Sequence, residues 1–216
     1  MARKTKEEAA ETRESVLLAA LNLFSEKGYS RTTFSNIATS IGMTRGAVYW
    51  HFDNKSALLA ALIEYVDMRK EDLVGMGIPD IRSLEDLRRA FVMHAQVMFE
   101  DETVRKFEFF LNYQMEWSQE LLAETHHKLN EIRKNPLEEF KEYFQVPAIA
   151  ERLRPDTDLD QLILTLAAFW SGLCKMRLGG CPEIDFGKMS ESDTRLFREF
   201  DLEKTAGTGF DLILNG

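Results

Sequence analysis

One nine-residue stretch, "TRGAVYWHF", combines side chains that suit an anionic surface with side chains that suit a protein core. Arg45, Tyr49 and His51 can donate hydrogen bonds, whereas Val48 and Phe52 are apolar. Phosphate oxygens accept hydrogen bonds from such donors and from helix N-termini. The stretch therefore predicts a short element that packs on one side and meets a nucleic acid on the other.

Two residues with almost no side chain, Gly46 and Ala47, follow Arg45 directly. A helix that is bare here can lie deep in the major groove of DNA, where Ala47 can touch a thymine methyl and Arg45 a guanine edge. Trp50 fits either the rim of the core or a contact with the DNA backbone. The predicted DNA-binding residues are Thr33, Thr44, Arg45, Gly46, Ala47, Tyr49, Trp50, His51 and Lys55.

Three helices are predicted to position these residues. The first begins near Thr5, where Thr5 and Glu8 form a capping box. Thr33 can cap a second helix that runs to about Ser40, and Thr44 can cap a third. Gly42 supplies the tight turn between them. Two short helices joined by such a turn are typical of a helix-turn-helix.

The rest of the chain also predicts helices, because apolar residues recur at steps of three and four. Asp53 or Asn54 caps a fourth helix. Further helices are expected at about 83–101, 103–116, 118–144 with a kink or break at Pro136, and 158–178. A last helix begins near Ser190, carries Leu196, Phe197 and Phe200, and is expected to end at "AGTG". The predicted fold class is all-α.

Charge is divided unevenly along the 216 residues. Residues 1–55 hold eight Lys and Arg against six Asp and Glu, or +2, although the whole chain has a net charge of −9. We therefore expect a small, mildly basic part and a large acidic part with different roles. There is no apolar run of about 18 residues and no signal-peptide pattern, so a cytoplasmic protein without membrane contact is expected.

The segment "RTTFSNIATSIGMTRGAVYWHFDNKSALL" closely resembles the signature of the TetR family of bacterial transcription regulators. The opening "MARKTKEEAAETRESVLLAALNLFSEKGY" with "DNKS" looks most like the AcrR branch, repressors of multidrug efflux genes. The resemblance implies a helix-turn-helix DNA-binding domain over 1–53 and a ligand-binding and dimerisation domain over 54–216. It also implies a homodimer whose last two long helices pair in a four-helix bundle. It places Arg45, Gly46 and Ala47 at base-reading positions. It assigns phosphate contacts to Thr33, Thr44, Tyr49, His51 and Lys55. Asn36 departs from the pattern, since close relatives often have a Glu that completes a capping box.

The acidic part is rich in Met and aromatic residues, which adapt to varied apolar ligands, and aromatic faces also bind cations. With Asp67 as the acidic position of the AcrR branch, and Glu108 and Glu116 as substitutes, we expect a pocket for lipophilic ligands, including cations. Core packing is the alternative for each of these residues. The predicted pocket residues are Asp67, Met98, Phe107, Phe110, Leu111, Gln114 and Trp170.

Small residues on the penultimate helix permit close packing of another helix, either at a dimer interface or within the chain. The predicted interface residues are Ala167, Ala168, Ser171 and Gly172. Cys174 and Cys181 do not form a disulfide framework.

Other classes of protein are less consistent with the sequence. It has no Gly-rich phosphate loop and no zinc-type histidine spacing, and the adjacent His126 and His127 point in different directions on a helix. We therefore predict no enzyme activity, no cofactor and no metal. The alternatives left open are a helical adaptor that does not bind DNA, a regulator of another pathway, and an activator of the same family.

Overall fold

The computed structural model describes residues 6–75, 80–132, 136–179, 190–192, 195 and 199–215, and within them all regular structure is helical. This confirms the predicted all-α class. The helices are α1 (Lys6–Lys27), α2 (Phe34–Ser40), α3 (Arg45–His51), α4 (Lys55–Gly75), α5 (Leu84–Glu100), α6 (Glu102–Phe109), α7 (Gln119–Ile132), α8 (Pro136–Phe144), α9 (Pro147–Ala150), α10 (Leu159–Gly179) and α11 (Leu202–Asn215). A π-helical turn, Phe110–Gln114, follows α6.

The predicted helix over 118–144 is two helices. α7 ends at Ile132 and α8 begins at Pro136, with 133–135 outside the described residues. Proline suits the first turn of a helix because its missing N–H would have no partner there. The predicted cap at Thr5, residues 180–187 of the predicted loop "GGCPEIDFG", which include Cys181, and Leu196 and Phe197 also lie outside the described residues. Glu191, Ser192 and Arg195 are helical, as predicted for a helix from about Ser190, whereas Phe200 is described and is not helical.

The prediction that "AGTG" ends the last helix is wrong, because α11 runs through Gly207 and Gly209. Neighbouring side chains occupy the space that the two missing side chains leave. A Cβ atom on Gly209 would lie 2.0 Å from the ring of Phe169, and one on Gly207 would lie 2.5 Å from the guanidinium of Arg88. Each glycine disfavours a helix by about 0.5–1 kcal/mol, and close packing of α11 offsets this.

Contacts divide the chain into two compact units: Met1–Met68 with Lys106–Arg133, and Arg69–Arg105 with Lys134–Gly216. We call them the first and the second unit. The first unit therefore contains α1–α3, most of α4, the end of α6, the π-helical turn and α7. These units are defined by contacts within the chain, and the predicted functional division after residue 53 stays a prediction.

Each unit has its own apolar core. In the first, the ring centroid of the buried Phe24 lies 5.2 Å from that of Tyr29 and 5.3 Å from that of Phe110. In the second, Phe91 contacts Phe210 at a centroid distance of 5.4 Å, within a cluster built from α5, α8, α10 and α11. In the described part of the chain, none of the helices combines the length and apolarity needed to cross a lipid bilayer.

Candidate nucleic-acid interface

Local hydrogen bonds fix the α2–turn–α3 segment. Thr33 caps α2: its Oγ1 accepts from the amide of Asn36 at 3.2 Å, and its own amide donates to Asn36 Oδ1 at 3.0 Å. Asn36 therefore completes the capping box in place of the expected Glu. Gly42 has φ +67°, a backbone conformation that residues other than glycine rarely adopt. Thr44 caps α3 by accepting from the amide of Ala47 at 3.2 Å.

α3 buries one face and exposes the other. Val48 is fully buried, and Phe52, which ends the helix, is 4% exposed. Trp50 is 71% exposed, with its ring edge-on to His51 at 4.5 Å. The position of Gly46 is also open: a Cβ there would meet only Thr44 Oγ1 at 3.8 Å. Packing within the chain therefore does not require glycine at 46, which leaves room for an external surface to approach closely.

Arg45 and Tyr49, one turn apart on α3, contact each other. Arg45 Nη2 donates to the Tyr49 hydroxyl at 2.9 Å, and the guanidinium carbon lies 5.1 Å from the centre of the phenol ring. The Tyr49 ring, 43% exposed, packs edge-on against Phe34 at 4.8 Å. These side chains border an open groove of about 460 Å³, lined by Thr32, Thr33, Phe34, Ser35, Arg45, Tyr49, Asp53, Asn54 and Lys55.

The structure gives Lys55, predicted to contact phosphate, a role inside the chain. Its ammonium donates to the backbone oxygens of Tyr29 at 2.8 Å, Thr32 at 3.2 Å and Ser30 at 3.4 Å. It also lies 4.2 Å from the centre of the Tyr29 ring. We call this arrangement the Lys55 clasp. It ties the loop after α1 to the first residue of α4, while the phosphate contact stays a prediction.

Burial changes the acid–base chemistry of the clasp. Because the charged form loses solvation, burial lowers the pKa of Lys55. Burial, with a smaller effect from the nearby Glu124 carboxylate, raises the pKa of Tyr29 to about 12. The cap of α4 is Asn54, one of the two predicted candidates, whose Oδ1 accepts from the amide of Ala57 at 2.8 Å.

The predicted pocket residues lie in both units. In the first, Phe107 and Phe110 are buried in the core, and Leu111, Gln114 and Asp67 are half-buried. In the second, Met98 is fully buried with its sulfur 3.1 Å from the sulfur of Cys174, and Trp170 packs edge-on against Phe91 at 5.4 Å. Phe107, Phe110 and Met98 thus have the burial that core packing requires, and a pocket that includes them stays a prediction.

Two buried oxygens, Gln114 Oε1 and Thr125 Oγ1, have no hydrogen-bond partner among the residues that the structure describes. A buried polar atom of this kind is costly unless something else pairs with it. Gln114 ends the π-helical turn, a feature that often occurs at functional sites. Thr125 was not predicted, and a single sequence carries no signal for it.

Sequence reasoning also missed two contacts of α1–α4 with the later part of the first unit. Ser30 Oγ donates to Glu116 at 2.8 Å, and Ser56 Oγ donates to Glu124. The partners are 86 and 68 positions apart in the chain, so no local pattern points to them. Glu116, suggested as a substitute carboxylate for the ligand, is exposed and bonded to the loop after α1.

On α10 the small residues predicted for an interface face outwards. Ala167, Ala168 and Ser171 are exposed, and a Cβ on the half-buried Gly172 would meet nothing within 4 Å. The neighbouring Leu164 is 54% exposed. Most of this strip is therefore not used for packing within the chain.

Known proteins resemble the chain in sequence over its N-terminal part. The sequence profile "Bacterial regulatory proteins, tetR family" matches residues 16–62. The chain is 55% identical over 64 residues to the HTH-type transcriptional regulator AcrR of Shigella flexneri, a match that covers 30% of each protein. The chain thus spans about a third of the length of the curated relatives it matches.

Solved structures resemble the chain over almost its whole length. NalD, the secondary repressor of the MexAB-OprM multidrug efflux pump in Pseudomonas aeruginosa, superposes with a TM-score of 0.69 at 28% identity, covering 98% of both chains. A complex of SmeT with triclosan gives a TM-score of 0.68 at 27% identity, covering 95% of this chain and 90% of that one. The chain therefore carries a TetR-family N-terminal helix-turn-helix domain within a TetR-type helical fold.

Proposed function

We propose that the chain is a ligand-responsive repressor that binds a palindromic operator of a multidrug efflux operon as a homodimer. The observation that carries the proposal is the outer face of α3, where a bare Gly46 stands beside the exposed Arg45 and Tyr49. AcrR and NalD, which the chain resembles, are named as a transcriptional regulator and as an efflux-pump repressor.

On DNA, α3 lies in the major groove and its two ends meet the backbone. Arg45 reads a guanine edge, and Ala47 touches a thymine methyl. The amides at the N-terminus of α3 and the hydroxyls of Thr33 and Thr44 contact phosphate oxygens. The caps of α2 and α3 hold Thr33, Thr44 and Ala47 in place. The Thr33 hydroxyl donates to Asn36 Oδ1 at 2.7 Å, so it has to leave this acceptor before it can donate to a phosphate oxygen.

The homodimer uses the exposed strip on α10. Ala167, Ala168, Ser171 and Gly172 let a helix of the second copy approach closely, and the exposed Leu164 on the same helix supplies apolar area. Two α3 helices then face half-sites about 34–36 Å apart, one turn of DNA. Ala168→Glu is expected to convert the dimer to monomer and to weaken operator binding.

The effector is a lipophilic small molecule, including lipophilic cations, held by Met and aromatic side chains with Asp67 as the acidic group. The unpaired Gln114 oxygen is suited to accept a hydrogen bond from it. SmeT, a structural relative, has been solved with triclosan. Asp67 is on α4, about three turns from Lys55. An effector that prefers one position of α4 shifts the α3 helices and loosens the operator.

Fluorescence anisotropy with the DNA upstream of the chain's own gene tests the proposal, with a shuffled duplex of equal composition as the control. We expect tight binding to a palindrome, reduced by Arg45→Ala and by saturating triclosan or tetraphenylphosphonium. The absence of any preference over the shuffled duplex at modest salt refutes DNA recognition. Binding that no effector changes refutes the ligand response.

In vitro transcription and the position of the operator address the alternatives. If the operator overlaps a promoter and adding the protein raises transcription in vitro, the chain is an activator. If the bound DNA lies beside genes unrelated to efflux, it regulates another pathway.

A further inference from the structure

We infer that Tyr49 is a positioning residue for Arg45, and that the contact between them, beyond any phosphate contact of Tyr49, determines how sharply Arg45 discriminates between bases. The inference rests on the proposed binding of DNA and deepens it. It concerns two side chains whose contact is already present without DNA.

A short chain of contacts anchors Arg45 to the core of the first unit. Phe34 is 6% exposed and fixes the Tyr49 ring by edge-on packing at 4.8 Å. The Tyr49 hydroxyl in turn accepts from Arg45 Nη2 at 2.9 Å, with the guanidinium carbon 5.1 Å from the ring centre. An exposed arginine without such a contact samples many rotamers. The contact restricts Arg45 to rotamers that lie along the outer face of α3.

The bond leaves Arg45 able to bind a base. A guanidinium has five N–H donors, and one is used by the hydroxyl. The remaining four include the pair that a fork on guanine O6 and N7 needs. Holding the side chain in place before DNA arrives removes part of the ordering cost, which favours the matching base over others.

The hydroxyl of Tyr49 can act in two directions at once. It accepts from Arg45 and keeps its own hydrogen, which can be donated to a phosphate oxygen. Hydrogen bonds in such a chain polarise one another. The register of the backbone contact and the direction of Arg45 are then linked through one oxygen atom.

Tyr49→Phe tests the inference, because it keeps the ring against Phe34 and removes only the hydroxyl. Tyr65→Phe is the matched control, since it removes a hydroxyl that donates to Glu14 at 2.7 Å. Thermal melts of both variants establish that they fold. Anisotropy is then measured on the operator and on duplexes that carry each single-base substitution.

We expect Tyr49→Phe to reduce discrimination at the base pair that Arg45 reads by about tenfold, and at other positions by less than about twofold. In an Arg45→Ala background the same change should have almost no further effect on discrimination, because the partner is gone. Equal weakening on all duplexes, additive with Arg45→Ala, would assign Tyr49 to phosphate contact alone and overturn the inference.

A measurement without DNA separates the inference from the proposed function. The NMR order parameter of the Arg45 side-chain Nε–Hε group should fall by about a third or more in Tyr49→Phe and stay unchanged in Tyr65→Phe. An unchanged order parameter in Tyr49→Phe overturns the inference even if the protein binds its operator. A fall in this order parameter supports the contact even if no operator is found.

Discussion

Replacing Lys55 by methionine separates two roles for this side chain. Methionine keeps an apolar side chain of similar length and removes the ammonium, which lies over the Tyr29 ring. If Lys55 acts mainly through the Lys55 clasp, the variant loses stability and keeps the salt dependence of DNA binding. If Lys55 acts mainly by contacting phosphate, the variant keeps its stability and the salt dependence of DNA binding decreases.

The size of the effect follows from the distances. A hydrogen bond to a charged group contributes about 1.5 kcal/mol or more. The bond from the Lys55 ammonium to the backbone oxygen of Tyr29, at 2.8 Å, is short enough to contribute this much. The contacts at 3.2 and 3.4 Å are weaker, and the cation–π contact adds about 0.5 kcal/mol. Because Lys55 is half-buried, water replaces part of this, so we expect a loss of about 2 kcal/mol. For a chain of this length that lowers Tm by about 4–8 °C.

Two assays distinguish the clasp from the phosphate contact. Thermal unfolding gives the change in Tm, and anisotropy on a duplex at several salt concentrations gives the slope of log K against log salt. Removing one phosphate contact reduces that slope by about 0.9, or about 1.8 for two copies of the residue. Lys27→Met is the control, because Lys27 is exposed at the end of α1 and its removal takes the same charge from the first unit. An unchanged Tm together with a slope reduced by about 1.8 would refute the clasp as the main role.

Three further predictions concern stability and titration. Gly209→Ala should destabilise the protein by about 1–2 kcal/mol in denaturant unfolding, because displacing Phe169 costs more than the gain in helix propensity of up to about 1 kcal/mol; a gain in stability would contradict the close approach. Asp101→Asn should cost about 1 kcal/mol at pH 7, since Arg69 donates to Asp101 at 2.6 Å and lowers its pKa. That stabilisation is present above the unfolded pKa of about 3.9 and is lost as pH falls through the lower folded pKa, so the two unfolding curves should converge in acid. Tyr29, with a pKa of about 12, should be absent from the phenolate absorbance that appears near pH 10; the difference spectrum against Tyr29→Phe measures this, and stability should decline as pH rises from 10 to 12.

What the sequence alone could predict depended on interactions between near neighbours. Thr33, Gly42 and Thr44 act over three or four residues, so their caps and turn were predictable, and with them the exposed face of α3. The same reasoning from near neighbours gave a wrong helix end at Gly207 and Gly209. Their effect on the chain depends on side chains far away in sequence, and only the structure supplies these.

Lys55 shows the same limit at the candidate site. A lysine at the start of α4 predicts a phosphate contact, because a cation near a DNA-facing helix has a clear external partner. In the structure its ammonium donates to carbonyl oxygens 23 to 26 positions earlier, and no local pattern indicates these contacts. The phosphate contact stays a prediction. The sequence also could not separate a ligand pocket from a core, since Met and Phe at helical spacing suit both equally well.

The two glycines of α11 have a consequence for how the sequence can vary. A Cβ at position 209 would meet the ring of Phe169, whereas one at position 207 would meet only the far end of the long Arg88 side chain, which can turn away. The fit at position 209 is therefore a property of the pair and not of either member. Among homologous sequences, a larger residue at position 209 should be found together with a smaller one at position 169, and a change in one member alone should be rare.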